Sequence, residues 1–170
     1  MSVKLLGGLL LVGSMAVLAQ KERHRLTVTL SALRAWRRFL SGAQQEIVSA
    51  GASLSVVLAP LWQDAVLQRE LTGGRQLSGG TQSTRALFEM LCCSGAALLP
   101  ASDRAAGMLR NLSEAFDRAY DASQIGERIE ELLAALASLQ ERLEDGGLRE
   151  CRARAALYIC GALCAVLMLW

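Results

Sequence analysis

The stretch SQIGERIEELLAALASLQERL, residues 123–143, decides the fold class. Its large aliphatic residues recur every three or four positions, which is the spacing of one buried face of an α-helix. The opposite face is acidic, because residues 121–145 hold seven Asp or Glu against two Arg. The pattern predicts an amphipathic helix with Ser123 as its N-cap. Its apolar positions, which also fit a heptad, are Ile125, Ile129, Leu132, Leu136, Leu139 and Leu143.

A heptad in so short a chain is typical of a helix packed into a core, so we expect an antiparallel intramolecular bundle. An intermolecular coiled coil is the alternative. Gly146-Gly147 is expected to interrupt the helix before the basic segment that follows. Apart from the two apolar runs at the ends, no segment has the period of a strand. The sequence therefore predicts an all-α protein.

The N-terminal part of the chain predicts one long helix. Apolar residues keep a helical spacing beyond the first apolar run, with Trp36 beside them, and no Pro or Gly intervenes until Gly42. Gly51 suits the C-terminal end of this helix. The positions expected to face the core are Leu26, Leu30, Leu33, Leu40 and Ile47.

Three further helices are expected between the long helix and the heptad segment. The first covers about residues 53–71, and Pro60 should kink or divide it because proline removes a backbone hydrogen bond. The next covers about residues 81–99 and is ended by Pro100. Ser102 is the expected N-cap of the third.

Two apolar runs predict transmembrane helices at residues 3–19 and 153–170. With 17 and 18 residues, each helix is roughly 26 Å long, slightly short of a ~30 Å hydrocarbon core. A signal peptide cleaved after Ala19 is the alternative for the first run, and a buried helix of a soluble core is the alternative for the second. Basic residues flank both runs and can reach lipid headgroups: Lys4, Lys21, Arg152 and Arg154.

Residues 20–152, between the two runs, are predicted to form a cytoplasmic helical domain. Six basic residues follow the first run between Lys21 and Arg38, whereas only Lys4 and the amino terminus precede it. Three arginines precede the second run. By the positive-inside rule this charge distribution predicts a two-span protein of the cell membrane with both termini outside.

Several kinds of chemistry are not expected of this composition. A net charge of +2 is too small to attract the phosphate backbone of nucleic acid. With no CxxC and a single histidine, His24, a zinc site is not expected, and the five cysteines are interpreted as reduced packing residues. The pair Glu130-Glu131 sits on a helix exterior, and no serine lies in a Gly-x-Ser-x-Gly setting. We therefore expect no catalytic residue, no metal and no cofactor.

The loop GRQLSGGTQ, residues 74–82, superficially resembles nucleotide-binding motifs. It is one residue short of a phosphate-binding P-loop and one letter from the LSGGQ signature of ABC transporter ATPases. A P-loop requires a preceding strand and a lysine for the phosphates, but here the preceding residues are helical in pattern and Gly80 occupies the lysine position. The loop is predicted to connect two helices without binding ATP.

The layout of the whole chain resembles the stage III sporulation protein AB family of endospore-forming bacteria. Loose motifs carry this resemblance from the first apolar run to the last, although Ser49–Leu54 keeps only the leucine of the family's Tyr-Gly-x-Thr-Pro-Leu segment. The matching positions are Lys4-Leu5-Leu6-Gly7, Leu30, Leu33, Arg34, Glu46-Ile47, Pro60-Leu61, Arg69-Glu70-Leu71, Gln124 and the apolar run Tyr158–Leu169.

The resemblance implies a helical domain like the F-type inner-membrane platform of type II secretion systems. It also implies a non-enzymatic scaffold in the channel complex between mother cell and forespore. The implied partners are membrane lipid, other channel subunits and a separate cytoplasmic secretion-type ATPase, with a homo-oligomer also open. It implies no nucleic-acid partner.

Two exposed charged segments are candidate partner surfaces. The first is the basic segment 21–38, represented by Arg34, Arg37 and Arg38. The second is the acidic segment 123–145, represented by Glu127, Glu130 and Glu131. Ordinary solvated helix faces are the alternative interpretation of both.

Overall fold

The computed structural model describes the backbone of residues 2–51, 53–74, 83–118 and 122–169. Within these ranges the description excludes the side chains of residues 2–12, 54, 60, 62, 63, 117, 118, 122, 148, 151, 162 and 165–169. Across the described backbone there are helices and no strands, which confirms the all-α prediction. The helices are α1 Ser2–Ala50, α2 Leu54–Gln63, α3 Ala65–Thr72, α4 Thr84–Ala96, α5 Arg104–Arg110, α6 Leu112–Arg118, α7 Ala122–Arg142 and α8 Leu148–Leu169, with a π-helical turn Leu143–Gly147 between the last two.

The chain divides into two compact units. One comprises the chain as far as Thr27 together with the chain from Arg142 onward, and the other comprises Val28–Glu141. The predicted segments 3–19, 20–152 and 153–170 were drawn from hydropathy rather than from contacts, so they stay predictions. Below, the two units are called the terminal unit and the central unit.

In the terminal unit, α1 and α8 run antiparallel. The Tyr158 hydroxyl donates to Glu22 Oε1 at 3.4 Å, and Arg154 Nη1 lies 3.9 Å from the same carboxylate oxygen. Leu26, one turn beyond Glu22 on α1, lies beside Gly147, the last residue of the π-helical turn that precedes α8. Among the residues that the structure describes, no helix combines the length and the apolar character needed to cross a membrane.

Gly147 shows why the predicted interruption at Gly146-Gly147 is wrong. The chain passes from α7 to α8 through the π-helical turn without leaving helical structure. Glycine lowers helix stability by only about 1 kcal/mol relative to alanine, so two glycines do not by themselves end a helix that is packed. A Cβ on Gly147 would lie 3.1 Å from Leu26 Cδ1, so the glycine also permits a close approach to α1.

In the central unit, the predicted core face of α1 is confirmed. Leu30, Leu33, Leu40 and Ile47 are buried, and Leu26, in the terminal unit, is half-buried. The helix ends where expected, because Gly51 has a φ of +59° and its N–H donates to Ile47 O at 3.1 Å. A left-handed glycine of this kind is a frequent helix terminator.

Trp36 lies at the centre of this core and is 1% exposed. Its Nε1 donates to the Leu71 carbonyl at 3.2 Å, and its ring meets Phe39 edge-on with centroids 5.9 Å apart. A Cβ on Gly95 of α4 would lie 2.6 Å from Trp36 Cε2 and Cζ2. Because only glycine has no Cβ, the indole can lie directly against the α4 backbone. Helix α4 in turn contacts α2, α3, α5 and α6.

The second predicted helix is divided, but at Asp64 rather than at Pro60. Helix α2 continues through Pro60 to Gln63. Asp64 then leaves the helical conformation, and its Oδ1 accepts hydrogen bonds from Val66 N at 2.9 Å and Leu67 N at 3.1 Å. Proline removes one hydrogen bond of α2, whereas the aspartate satisfies two N–H groups at the start of α3, so the break forms at the cap.

Asp64→Ala is expected to lower the free energy of unfolding by about 1 kcal/mol, because the Val66 and Leu67 N–H groups lose their acceptor. Urea unfolding of the full chain in non-ionic detergent, followed by circular dichroism, measures this loss. Asp64→Asn is the matched control, since its Oδ1 can still accept both bonds. Equal losses in the two variants would contradict a capping role.

Two other boundaries differ from the predictions. Helix α4 has Ser83 as its N-cap and ends at Ala96, with turns before Pro100, while Thr81 lies outside the described residues. Asp103, not Ser102, caps α5, because the turn from Pro100 brings the Asp103 carboxylate to Ala105 N at 2.9 Å. The single helix expected there is split into α5 and α6 at Asn111, whose N–H still bonds to Gly107 O at 3.1 Å.

The core face predicted for α7 is confirmed. Ile129, Leu132, Leu136 and Leu139 are buried, and Ile125 and Leu143 are half-buried. The predicted cap is wrong, because α7 begins at Ala122 and Ser123 therefore lies within its first turn. Serine is tolerated there because the first four N–H groups of a helix have no intrahelical carbonyl partner, so its hydroxyl does not compete with an existing bond.

Candidate functional site

The candidate surface lies where α7 runs antiparallel to α1 in the central unit. Arg37 Nη1 donates to Gln140 Oε1 at 2.8 Å, and a Cβ on Gly126 would lie 2.9 Å from Val48 Cγ2. The two helices are therefore antiparallel, because residue numbers increase along α1 in the direction in which they decrease along α7. We call this junction, from Arg34 to Val48 on α1 and from Gly126 to Gln140 on α7, the α1–α7 seam.

The three arginines predicted as a partner surface come together at one end of the seam. Arg34, Arg37 and Arg38 line an open groove of about 630 Å³. All three side chains are exposed. Arg38 Nη2 also lies 3.0 Å from Glu70 Oε2 of α3. The other lining residues are Ser41, Leu133 and Gln140.

The three predicted acidic residues do not form one surface. Glu131 faces α5, where its Oε1 lies 2.6 Å from Arg104 Nη2 and its Oε2 lies 3.5 Å from Arg128 Nη1. With about 100° of rotation per residue, Glu130 lies on the same side of α7 as Leu133 and Gln140. Glu127 is exposed and lines a groove with Gln124, Arg128 and Glu131. The structure therefore groups Glu127 with Glu131 and separates both from the seam, and Glu130 is the acidic residue of the three that lies nearest to it.

A second groove, of about 370 Å³, lies on the other side of α7, against α5 and α6. Its apolar wall contains Met108, Leu112 and Leu132, and Glu114 and Arg128 lie at its polar rim. Gln124, one of the positions that resemble the sporulation family, also lines this groove. The groove is shallow and of mixed polarity, which suits a side chain of a partner better than a small-molecule substrate.

The chemistry available on these surfaces is that of charged recognition. Each guanidinium has five N–H donors, of which the observed contact of Arg37 uses one, so the arginine groove can bind carboxylates or phosphates. Within the described part of the chain, no three His, Cys, Asp or Glu side chains come together as a metal site would require. His24 is exposed on α1.

The prediction that the cysteines are packing residues is correct for Cys92 alone among those described. Cys92 is buried, whereas Cys93, Cys160 and Cys164 are exposed, and all four are free thiols. Burial raises the pKa of the Cys92 thiol well above its ordinary value, with smaller contributions from Cys93 and Glu89. Adjacent helix positions lie about 100° apart, so one cysteine of the pair faces the core and the other faces solvent.

In the native protein, a maleimide reagent at about pH 8 is expected to label Cys93 and to leave Cys92 unlabelled, because the thiolate is the reactive form and burial disfavours it. Fragment mass spectrometry of the peptide that carries both residues distinguishes them. Denaturation in urea before labelling is the control, and it should make the two thiols equally reactive. Labelling of Cys92 in the native protein at the rate of Cys93 would contradict the burial.

Comparison of the chain with models of known protein families, with curated proteins and with solved structures gives no match.

Of the loop GRQLSGGTQ, the structure describes only Gly74, which has a φ of +84°. Residues 75–82 lie outside the described part of the chain. The prediction that this loop binds no nucleotide therefore stays a prediction.

Several residues of the candidate surface were not anticipated from the sequence. Leu133 and Gln140 are not among the core positions predicted for α7, and the sequence indicates no partner for Glu70 or Arg104. A helical-wheel projection groups Leu133 and Gln140 with Glu130. The ion pairs of Glu70 and Arg104 join residues 32 and 27 positions apart in the chain. No local pattern indicates which helices will be neighbours, so these pairs had no sequence signal.

Proposed function

We propose that the chain is a non-enzymatic two-span membrane scaffold in the channel complex between mother cell and forespore during endospore formation. The motif resemblance described above supports the process, and the all-helical architecture supports the comparison with an F-type secretion platform. The charged surfaces of the central unit support a role in binding other proteins. The proposed location is the mother-cell membrane that faces the forespore.

The observation that carries the membrane assignment is the exposure of aliphatic side chains on α1 and α8 in the terminal unit. Val17 is 65% exposed and Leu157 is 71% exposed, and three further residues are about half exposed. Lipid is the solvent that suits helices carrying several such side chains. The further residues are Leu18, Ile159 and Leu163.

The proposed orientation places the segment 20–152 in the cytoplasm, where a separate ATPase of the complex can reach it. The basic residues after the first proposed span, including Lys21, Arg23 and Arg25, are exposed and suit anionic headgroups. The arginine groove and the acidic residues of α7 are proposed contacts with other subunits of the complex.

Affinity purification of the full chain from sporulating cells, solubilised in mild detergent, tests this function. We expect recovery of a secretion-type ATPase or of other membrane subunits of the channel. A variant with Glu127→Lys and Glu130→Lys should recover less, whereas Glu89→Lys, an exposed position on α4, is the control and should recover the same amount. Failure to recover any channel subunit with the unaltered chain would contradict the proposal.

The alternative for the first span is a signal peptide, which would make the protein a secreted or envelope-anchored helical protein. Intact-mass measurement of the membrane-bound protein distinguishes the two. The two-span proposal expects an N-terminus that includes the first apolar run. A mature chain that begins at Gln20 would exclude that span.

A further inference from the structure

We propose that the arginine groove between α1 and α7 docks an acidic amphipathic helix of another protein, with carboxylates against the guanidinium groups and an aliphatic side chain against Leu133. The helix would belong to one of the subunits that the scaffold binds, so this inference rests on the proposed function. It adds the chemistry of the partner and the place where the partner is received. The residues that line the groove are Arg34, Arg37, Arg38, Ser41, Leu133 and Gln140.

The charge of the groove identifies an anionic partner. Among the residues that the structure describes, the lining has three arginines and no carboxylate, although the formal net charge of the whole chain is only +2. Glu70 of α3 lies 3.0 Å from Arg38 Nη2, but it is not part of the lining and can neutralise only one of the three positive charges. The groove therefore keeps an excess of positive charge that a negative group can complement.

Two of the arginines have the donors that carboxylates require. The contact of Arg37 with Gln140 Oε1 and the contact of Arg38 with Glu70 Oε2 each use one N–H group. Because a guanidinium has five N–H donors, both side chains keep donors for a further anion. Arg34 has an interaction of its own, and it contributes here only as a positive charge of the lining.

The apolar part of the groove favours a protein segment over a phosphate group. Leu133 is half-buried in the lining, and the aliphatic stems of the arginines add further apolar surface beside it. An inorganic phosphate or a lipid headgroup would use the positive charge and leave Leu133 without a partner. An amphipathic helix presents carboxylates and aliphatic side chains from neighbouring turns and can use both.

The dimensions of the groove suit about two turns of such a helix. Arg34 and Ser41 are seven residues apart on α1, which is about 10 Å of helix. The positions of Arg37 and Arg38 follow Arg34 by three and four residues, and a partner helix can place two carboxylates at the same spacing. So small a contact should be weak, and because it relies on exposed charges it should weaken further at high salt.

Fluorescence anisotropy of the full chain in non-ionic detergent tests the proposal. The probe is a labelled helical peptide of about 14 residues in which Glu and Leu recur at every third or fourth position. We expect a dissociation constant of roughly 10–100 μM at about 50 mM salt, and binding at least about tenfold weaker at about 500 mM salt. A peptide with Gln in place of each Glu should bind about tenfold more weakly.

Two variants of the chain separate the charge from the apolar contact. Arg37→Glu should weaken binding of the acidic peptide about tenfold, because a donor is replaced by a like charge. Leu133→Ala should weaken it about fivefold, and a peptide with Ser in place of each Leu should also bind more weakly. Arg110→Glu is the matched control, since Arg110 is exposed on α5 outside the groove, and it should bind as the unaltered chain does.

Circular dichroism confirms that each variant folds. Absence of binding to the unaltered chain, or equal binding by the Arg37→Glu and Arg110→Glu variants, would overturn the proposal. Displacement of the peptide by about 10 mM inorganic phosphate or glycerol phosphate, where chloride has little effect, would also overturn it and would indicate a phosphate or a lipid headgroup in the groove. The measurement involves no channel subunit, so a failed docking site is distinguishable from a failure to recover the complex from sporulating cells.

Discussion

Gly95→Ala is expected to lower the free energy of unfolding by about 2–4 kcal/mol. The added Cβ would lie 2.6 Å from Trp36 Cε2 and Cζ2, and the indole has little room to move because Trp36 is 1% exposed. A shift of the ring that relieves the clash would also break the bond from Nε1 to Leu71 O, which is buried. A buried carbonyl left without a donor adds its own cost to that of overpacking.

Urea unfolding of the full chain in non-ionic detergent, followed by circular dichroism and tryptophan fluorescence, measures the effect. Gly107→Ala is the matched control, because Gly107 also lies within a helix but nothing lies within 4 Å of an added Cβ. That variant should gain about 0.5–1 kcal/mol, since alanine has the higher helix propensity. A Gly95→Ala protein as stable as the Gly107→Ala protein would show that α4 does not lie against Trp36.

Leu136→Ala is expected to lower the free energy of unfolding by about 2–5 kcal/mol. Leu136 is fully buried on the core face of α7. Truncation removes three carbon atoms from that core and leaves a cavity that its neighbours fill only partly. The loss should not depend on protein concentration, because the residue packs within its own chain.

Leu133→Ala is the control for this substitution. Leu133 is half-buried at the edge of the same helix, so its truncation should cost only about 1 kcal/mol. Urea unfolding at two protein concentrations provides the measurement. A cost for Leu136→Ala that disappears on dilution would indicate that the heptad of α7 packs against another chain, as the coiled-coil alternative supposed.

The fold class and the core faces were predictable because both depend on local geometry. In α7, residues at every third or fourth position share a face whatever the helix packs against, so Ile129, Leu132 and Leu139 could be assigned to the core from their spacing. Gly51 could be assigned as a terminator for a similar reason, since a positive φ suits glycine almost alone.

Helix boundaries were predicted less well because several residues near a boundary can each end a helix, and tertiary packing and neighbouring turns decide which of them does. Pro60 is a strong helix breaker in isolation, yet the break formed at Asp64, where a carboxylate can satisfy two N–H groups. Gly146 and Gly147 have low helix propensity, yet the chain remains helical there. In each case a contact or cap worth about 1 kcal/mol is enough to change the outcome.

The candidate surface was predicted only in part. The exposure of Arg34, Arg37 and Arg38 follows from their positions opposite the apolar face of α1. The separation of Glu130 from Glu131 does not, because both are exposed positions of α7 in the sequence pattern. It depends on which helix lies on each side of α7.

The sequence alone therefore determined that the described part of the chain is helical, which residues of α1 and α7 face the core, and that the six charged residues predicted as partner surfaces are exposed. Periodicity contains this information because it reflects the geometry of a single helix. Only the tertiary structure decided that Gly95 lies against Trp36, that Glu131 pairs with Arg104, and that the three arginines share a groove with Gln140 of α7. Those facts depend on which helices are neighbours, and contacts between residues distant in the chain leave no periodic signal.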